Sequence, residues 1–420
     1  MSDYDKANKR ERESNFKSKI SPSSGMINVH GVAIIDEDQE HYLKPRILTN
    51  SEIEETVKWR MGKWYDKPIK NSNFETTSKT KKDLGIHQMK INTKHGEGCG
   101  YVIQPTEKDA YWNGQHRLCS FLENILDVTK ENVVIPKLHV TGADTVITDD
   151  DYCIFTHNRR SDSDNQILWS LPVQLGFMRP AVFKEMRDRA VNGYTEFKDK
   201  IPQVFFRGQA SGKFKNSKGE YVSAWCVFNS IKTDGKDPSW DWIQGDEKLS
   251  YEECAMKLQR YAICKNHANS QNINLKLTSL PGINEEKWND NLNQIMEDVK
   301  GTFTSQLVMR QYKYHLVLEG NDWASGKLQS VLGGSLVLMP EPEWENIMNY
   351  GWKPWEHYVP VDKDGSNLEE IFEWCENHQK ECKTIIENAN FHFRIHNLQN
   401  ENRIFKRVIE KYNENLDINE

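Results

Sequence analysis

The stretch KYHLVLEGNDWASGKLQSVLGGSLVL, residues 313–338, limits the fold more than any other part of the chain. It begins as an apolar strand and breaks at Gly320-Asn321-Asp322. A short helical pattern follows, Gly333-Gly334 ends it, and a second apolar strand starts at Leu336. Strand, loop, helix and strand in this order is the grammar of nucleotide-binding α/β domains. The loop is neither a GxGxxG fingerprint nor a Walker loop. A helix starting near Asp322 or Ala324 offers free N–H groups and a positive dipole end to an anion, with Lys327 as an added charge. The plainer alternative is a helix capped by Asp322 that holds no ligand.

The same alternation runs through the rest of the chain. Helical spacing marks 51–65 (Ile53, Val57, Met61), 116–126, 181–201, 250–267 and 286–300. It also marks 366–389, where Leu368, Ile371, Phe372, Cys375, Cys382, Ile385, Ile386 and Ala389 share a face, and Ser366 with Glu369 spells a capping box. Apolar strand patterns fall at 132–140, 152–160, 202–208 and 273–280. Helices alternating with short strands in both halves predict an α/β protein of two open, mostly parallel sheets with a cleft between them. At 420 residues the chain exceeds what one core usually serves. The expected division is a disordered tail at 1–25, an N-terminal α/β domain at 26–195, a second at 196–395, and a C-terminal helix or tail at 396–420.

Composition removes several classes. A net charge of −7 argues against a dedicated nucleic-acid binder. The eight cysteines form no CxxC pair, so a zinc site of the usual spacing is not expected and free thiols are. No Asn-x-Ser/Thr sequon, apolar leader or transmembrane run occurs in the sequence, which predicts a soluble, cytoplasmic protein.

Four constellations can carry chemistry. In VFFRGQASGKFK (204–215) an apolar strand ends in Arg207-Gly208 and opens into a loop with Ser211, Gly212, Lys213 and Lys215. Small residues admit an anion to the backbone and the cations neutralise it; a solvated hairpin is the plainer reading. The loop at 319–327 is the second. The third is the acidic loop GADTVITDDD (142–151), where a carboxylate at a strand end can act as a general base, although surface solubility explains some of its four Asp. The fourth, WKPWEHYVPVDKDGSNLEE (352–370), carries Trp355, His357 and Tyr358 as pocket walls or as packing.

These residues in this order resemble glycosyltransferase family 90, the capsule-associated, lipopolysaccharide-modifying and protein O-glucosyltransferase family. The match is best over 312–371, with EGNDWAS, GGSLVL, EWENI, KPWEHYVPV and SNLEEI, and extends to about 200–395 with FFRG (205–208) and NINLKLT (272–278). Animal members carry Arg where this chain has Glu319. The resemblance implies a GT-B fold of two Rossmann-like domains. It also implies inverting transfer, typically of glucose or xylose, from a UDP-sugar to a glycan or protein hydroxyl, with no required metal or other cofactor. It implies a base just after a first-domain strand, placed at Asp144, with Asp149, Asp150 and Asp151 open. Donor contacts are expected from Arg207, Gly208, Ser211, Lys213, Gly320, Trp323, Ser325, Lys327 and Ser335. The competing readings are a non-catalytic carbohydrate- or nucleotide-sugar-binding protein of the same fold, and a sugar-phosphate phosphorylase.

Overall fold

A computed structural model describes residues 45–74, 86–92, 102–103, 121, 125, 134–141, 152–170, 195–237, 239–324 and 326–417. The expected tail at 1–25, the acidic loop with Asp144 and Asp149–Asp151, and Ser325 lie outside the described residues, as do most of the helices read at 116–126 and 181–201.

The described part is mixed α/β. It opens with α1 (Asn50–Met61), held by a complete capping box between Thr49 and Glu52, and Ile53, Val57 and Met61 are buried as their spacing predicts. Strands β1 (Ile86–Asn92), β2 (Val102–Ile103), β3 (Val134–Thr141), β4 (Ile154–Thr156) and β6 (Gln166–Leu168) form a mixed sheet in the order β2-β1-β3-β4-β6. Here β3, β4 and β6 run parallel. The pattern at 152–160 is thus two strands, β4 and the short β5 (Arg159–Arg160), which leaves this sheet.

The second half begins with β7 (Ile201–Gln209), followed by a hairpin of β8 (Lys213–Lys215) and β9 (Tyr221–Ser223), the plainer of the two readings of this stretch. Helix α2 (Ala224–Lys232) is capped by Ser223. The helix expected over 250–267 is two, α3 (Tyr251–Met256) and α4 (Gln259–Asn266). Then come β10 (Ile273–Ser279), β11 (Tyr312–Leu316), α5 (Gly326–Leu332), β12 (Leu336–Met339), β13 (Trp344–Glu345) and β14 (Val359–Pro360). The sheet order is β10-β7-β11-β12-β14, and every pair is parallel. Val204 pairs with both Ile273 and Tyr314, so β7 is an interior strand, and its consecutive Val204, Phe205 and Phe206 are buried on both faces.

The long helix expected at 366–389 is split at His378 into α6 (Leu368–Asn377) and α7 (Gln379–Phe393). Its capping box does not form. Ser366 is occupied by Asp362 and Asp364, Glu369 accepts a hydrogen bond from Ser270, and Asn367 takes the cap position. Seven of the eight residues on the proposed face are buried, and Ile386 is partly so.

The last helix, α8 (Leu398–Asn415), packs on the first sheet. Ile404, Phe405, Val408, Ile409 and Tyr412 share a core with Leu138, Val140 and Phe155. Tyr412 donates to the Lys137 carbonyl at 2.7 Å. A buried ion pair fixes α8 to α1: Arg60 makes a two-pronged contact with Glu401, and Ser170 also donates to that carboxylate. Both members are 2% exposed. Among the described residues no helix is long and apolar enough to cross a membrane.

Removing one member of a buried pair leaves the other charge uncompensated. Glu401→Gln should lower unfolding free energy by about 3–5 kcal/mol, read by urea denaturation. A change under about 1 kcal/mol would mean that the pair behaves as a solvated one.

Candidate active site

A cavity of about 420 Å³ opens where the carboxyl ends of β7, β11 and β12 come together. Parallel strands deliver their following loops to one edge, and ligand sites in open α/β sheets lie there. The loop after β7 contributes Ser211, Gly212, Lys213 and Lys215. The segment after β11 contributes Val317, Glu319, Gly320, Ala324 and Lys327, and that after β12 contributes 339–344. Arg160 reaches the wall from β5, which pairs antiparallel with β13 through Trp344 opposite Arg160.

Six basic side chains line the cavity (Arg160, Lys213, Lys215, Lys257, Lys327, Lys363) against three acidic ones (Glu319, Glu341, Glu343). The surplus of cations favours an anionic ligand. Lys213 lies over the Trp344 ring at 4.8 Å and the Tyr221 ring at 5.5 Å. Glu343 is engaged by Lys363 and by Arg160. Lys327 is almost fully buried. Its Nζ donates to the Met348 carbonyl and to Asn349 Oδ1 and lies 4.3 Å from the Trp352 ring centroid. Burial pulls its pKa down to about 7, opposed by the Glu319 carboxylate. Glu319 is pushed the other way, up to about 7, by burial, against two backbone hydrogen bonds from Glu343 N (2.9 Å) and Trp344 N (3.3 Å).

The floor is close-packed. A Cβ on Gly320 would meet Ser211 Oγ at 2.6 Å and Arg260 Nη2 at 3.1 Å, so a side chain there would have to displace the Ser211–Arg260 contact. Gly212, at φ +132°, donates its N–H to Asn321 Oδ1 at 3.3 Å.

Of the residues expected to hold the donor, the structure gathers Ser211, Lys213, Gly320 and Lys327 around this cavity. It does not gather the others described. Arg207 turns along the sheet, donating to the Asn274 carbonyl and Oδ1 and lying over Phe205. Gly208 sits under the Phe206 ring. Trp323 is in the core with Leu168, Val317 and Leu328, and Ser335 donates to the Tyr312 carbonyl at the far end of β12. Helix α5 starts at Gly326, and Asp322 does not cap it. Its carboxylate faces His157 (3.5 Å) and Asn158 (3.3 Å) at the end of β4. Sequence reasoning missed Glu319 as a cavity group, and missed Arg260. Nothing local marks an arginine inside a helix between buried Leu258 and Tyr261.

Residues 242–418 match the family model described as glycosyl transferase family 90. The resemblance read from the motifs is therefore shown over those residues. Among curated relatives, O-glucosyltransferase LpsA of Dichelobacter nodosus is 39% identical over 80 residues, covering 19% of this chain and 25% of that protein. Protein O-glucosyltransferase 3 of Mus musculus is 33% identical over 75 residues, 18% of this chain and 15% of that one. Uncharacterized protein 027R of Frog virus 3 is 39% identical over 79 residues, 18% and 8%. The chain thus spans a quarter or less of the length of these relatives.

The Glu319 shift has a testable sign. Its folded pKa lies above the usual carboxyl value, so the native state keeps a proton that the unfolded chain has lost between about pH 4.5 and 7. The stability this gives is full below pH 4.5 and falls as pH rises to about 7. Glu319→Gln should flatten that part of the profile and gain most, relative to wild type, at pH 8. Urea melts at pH 5, 6, 7 and 8 measure it; parallel curves for the two proteins would show that Glu319 titrates normally.

Proposed function

We propose that the chain is an inverting glycosyltransferase. It moves a sugar, glucose or xylose, from a UDP-sugar to a hydroxyl of a glycan or protein acceptor. It does so on a GT-B-type arrangement of two Rossmann-like domains, 26–195 and 196–395. The observation that carries this reading is the cation-rich cavity at the carboxyl edge of an all-parallel sheet, whose walls after β11 and β12 lie in the part of the chain that matches family 90, while the loop after β7 and Arg160 precede it. The O-glucosyltransferase relatives support the same reaction class.

In this mechanism the donor diphosphate lies against Ser211, Lys213, Lys327 and the loop at Gly320. As the acceptor oxygen attacks the anomeric carbon, the bond to the diphosphate breaks and negative charge grows on the leaving oxygen. Fixed ammonium groups in a partly enclosed site stabilise that charge, so no metal is required. A carboxylate from the first domain, Asp144 or one of Asp149–Asp151, removes the acceptor proton.

A UDP-sugar at about 100 times its Kd should stabilise the native state by about 2.7 kcal/mol and raise Tm, whereas GDP- and CMP-sugars should not. UDP release with an acceptor present should persist in EDTA. Stabilisation without any UDP release would favour the non-catalytic binding protein, and phosphate-dependent turnover the phosphorylase. Loss in EDTA with rescue by Mn²⁺ would overturn the metal-free mechanism.

Asp144→Asn keeps the shape but cannot take a proton. Turnover should fall by about 10²–10⁴-fold with UDP affinity unchanged. Normal transfer by this variant and by the matching variants at Asp149, Asp150 and Asp151 would place the base elsewhere.

A further inference from the structure

Arg260 lies in the first turn of α4, behind the cavity wall. Its guanidinium spans two loops that are far apart in sequence. Nη1 donates to the Gln209 carbonyl at 3.0 Å and to Ser211 Oγ at 2.8 Å, in the loop after β7. Nη2 donates to the Leu318 carbonyl at 2.7 Å and Nε to the Glu319 carbonyl at 3.1 Å, in the loop after β11. All four acceptors are neutral oxygens, so a part-buried cation sits beneath the cavity without a carboxylate in hydrogen-bond contact. Burial draws its pKa down to about 10, which leaves it charged at neutral pH.

The bond to Ser211 has a directional consequence. Because Ser211 Oγ accepts from Arg260, its own proton must point elsewhere, and Ser211 lines the cavity. With one lone pair taken by Arg260, the hydroxyl keeps its proton to offer to the cavity. The absence of a Cβ at Gly320 lets this arrangement close, since any side chain there would strike both Ser211 Oγ and Arg260 Nη2.

We infer that Arg260 is a positioning residue of this site: it sets the spacing of the two loops and fixes Ser211 as a hydrogen-bond donor to a diphosphate-class anion. The inference rests on reading the cavity as a diphosphate site. A lysine cannot replace the guanidinium, because one ammonium point cannot reach four acceptors in two loops.

The test uses the full chain and two probes, UDP and inorganic pyrophosphate, titrated by calorimetry. Ser211→Ala should weaken both probes by about 10-fold, the scale of one lost hydrogen bond to a charged group. Arg260→Lys and Arg260→Gln should weaken them by about 10- to 100-fold, raising donor KM while acceptor KM holds. In the Arg260→Gln background, Ser211→Ala should cost nothing further, since Arg260 acts through it. A bolt with a merely structural role would instead lower Tm, shift both KM values together, and leave the Ser211 effect intact in the double variant; that pattern overturns the inference. So does wild-type affinity in folded Arg260→Lys, which keeps the charge and serves if Arg260→Gln does not fold. If the wild type binds neither probe, the diphosphate reading itself falls, and this inference with it. Binding by wild type with no loss in the variants removes Arg260 alone.

Discussion

Parallel pairing of β7 with both β10 and β11 is the constraint on which the rest depends. Parallel neighbours cannot be joined by tight turns, so each connection crosses the sheet face and every strand leaves at the same edge. The loops at 209–213, 317–324 and 339–344 meet there because the topology leaves them nowhere else. The opposite edge is closed by the chain itself. Lys200, almost fully buried, donates to the Arg310 carbonyl and, at 2.8 Å, to the Gly333 carbonyl, drawing together the segments that lead into β7, β11 and β12. One edge is sealed by an internal cation on backbone oxygens. The other opens into the cavity, where Arg160 and Lys363 share Glu343 and Lys327 is buried against Met348 and Asn349.

The first sheet is joined to this edge through side chains more than through the backbone. Arg159 donates to Glu345 at 2.8 Å and to the carbonyls of Trp59, Arg60 and Gln166, so one guanidinium ties the end of α1 to the β5–β13 ribbon. The same ribbon carries Arg160 into the cavity wall and sets Trp344 against Lys213. Helix α8 then returns to the first sheet, so the chain end belongs to the core in which α1 began. Shifts in the ribbon would move Arg160 and Trp344 together.

What could be read from the sequence was what depends on local period. Leu336–Met339 is a strand because its apolar run allows little else, Tyr312–Leu316 leads into the apolar run Leu316–Leu318 that marked it, and Ile53, Val57 and Met61 are buried because they recur at helical spacing. What could not be read depends on which strand lies alongside. Arg207 looked like an anion ligand at a strand end, but β10 brings Asn274 beside it and takes its guanidinium. Trp323 sits in a phosphate-like loop, but the neighbouring Leu168 from the first sheet gives it a core to enter. The Ser366–Glu369 box failed because Ser270, almost a hundred positions earlier, captured the glutamate. Arg260 carried no local signal because its function lies in joining two loops that only the fold brings together.

The loop after β11 shows how a short stretch can hold a site without being an anion cradle. Glu319 turns to the backbone of Glu343 and Trp344, Gly320 lies beneath Ser211, and Asn321 accepts from Gly212. Asp322 crosses to His157 and Asn158, and Trp323 enters the core. Successive residues are thus committed to different neighbours: the loop after β12, the loop after β7, the end of β4 and the interior. A seven-residue helix that begins only at Gly326 adds little field of its own, so the positive potential in the cavity comes from side chains: Arg160 on β5, Lys213 and Lys215 on β8, Lys327 on α5, and Lys257 and Lys363 between elements. Gly320 belongs to this joint because a Cβ there would press on Ser211 Oγ, and so on the loop after β7 that leads into Lys213 and Lys215.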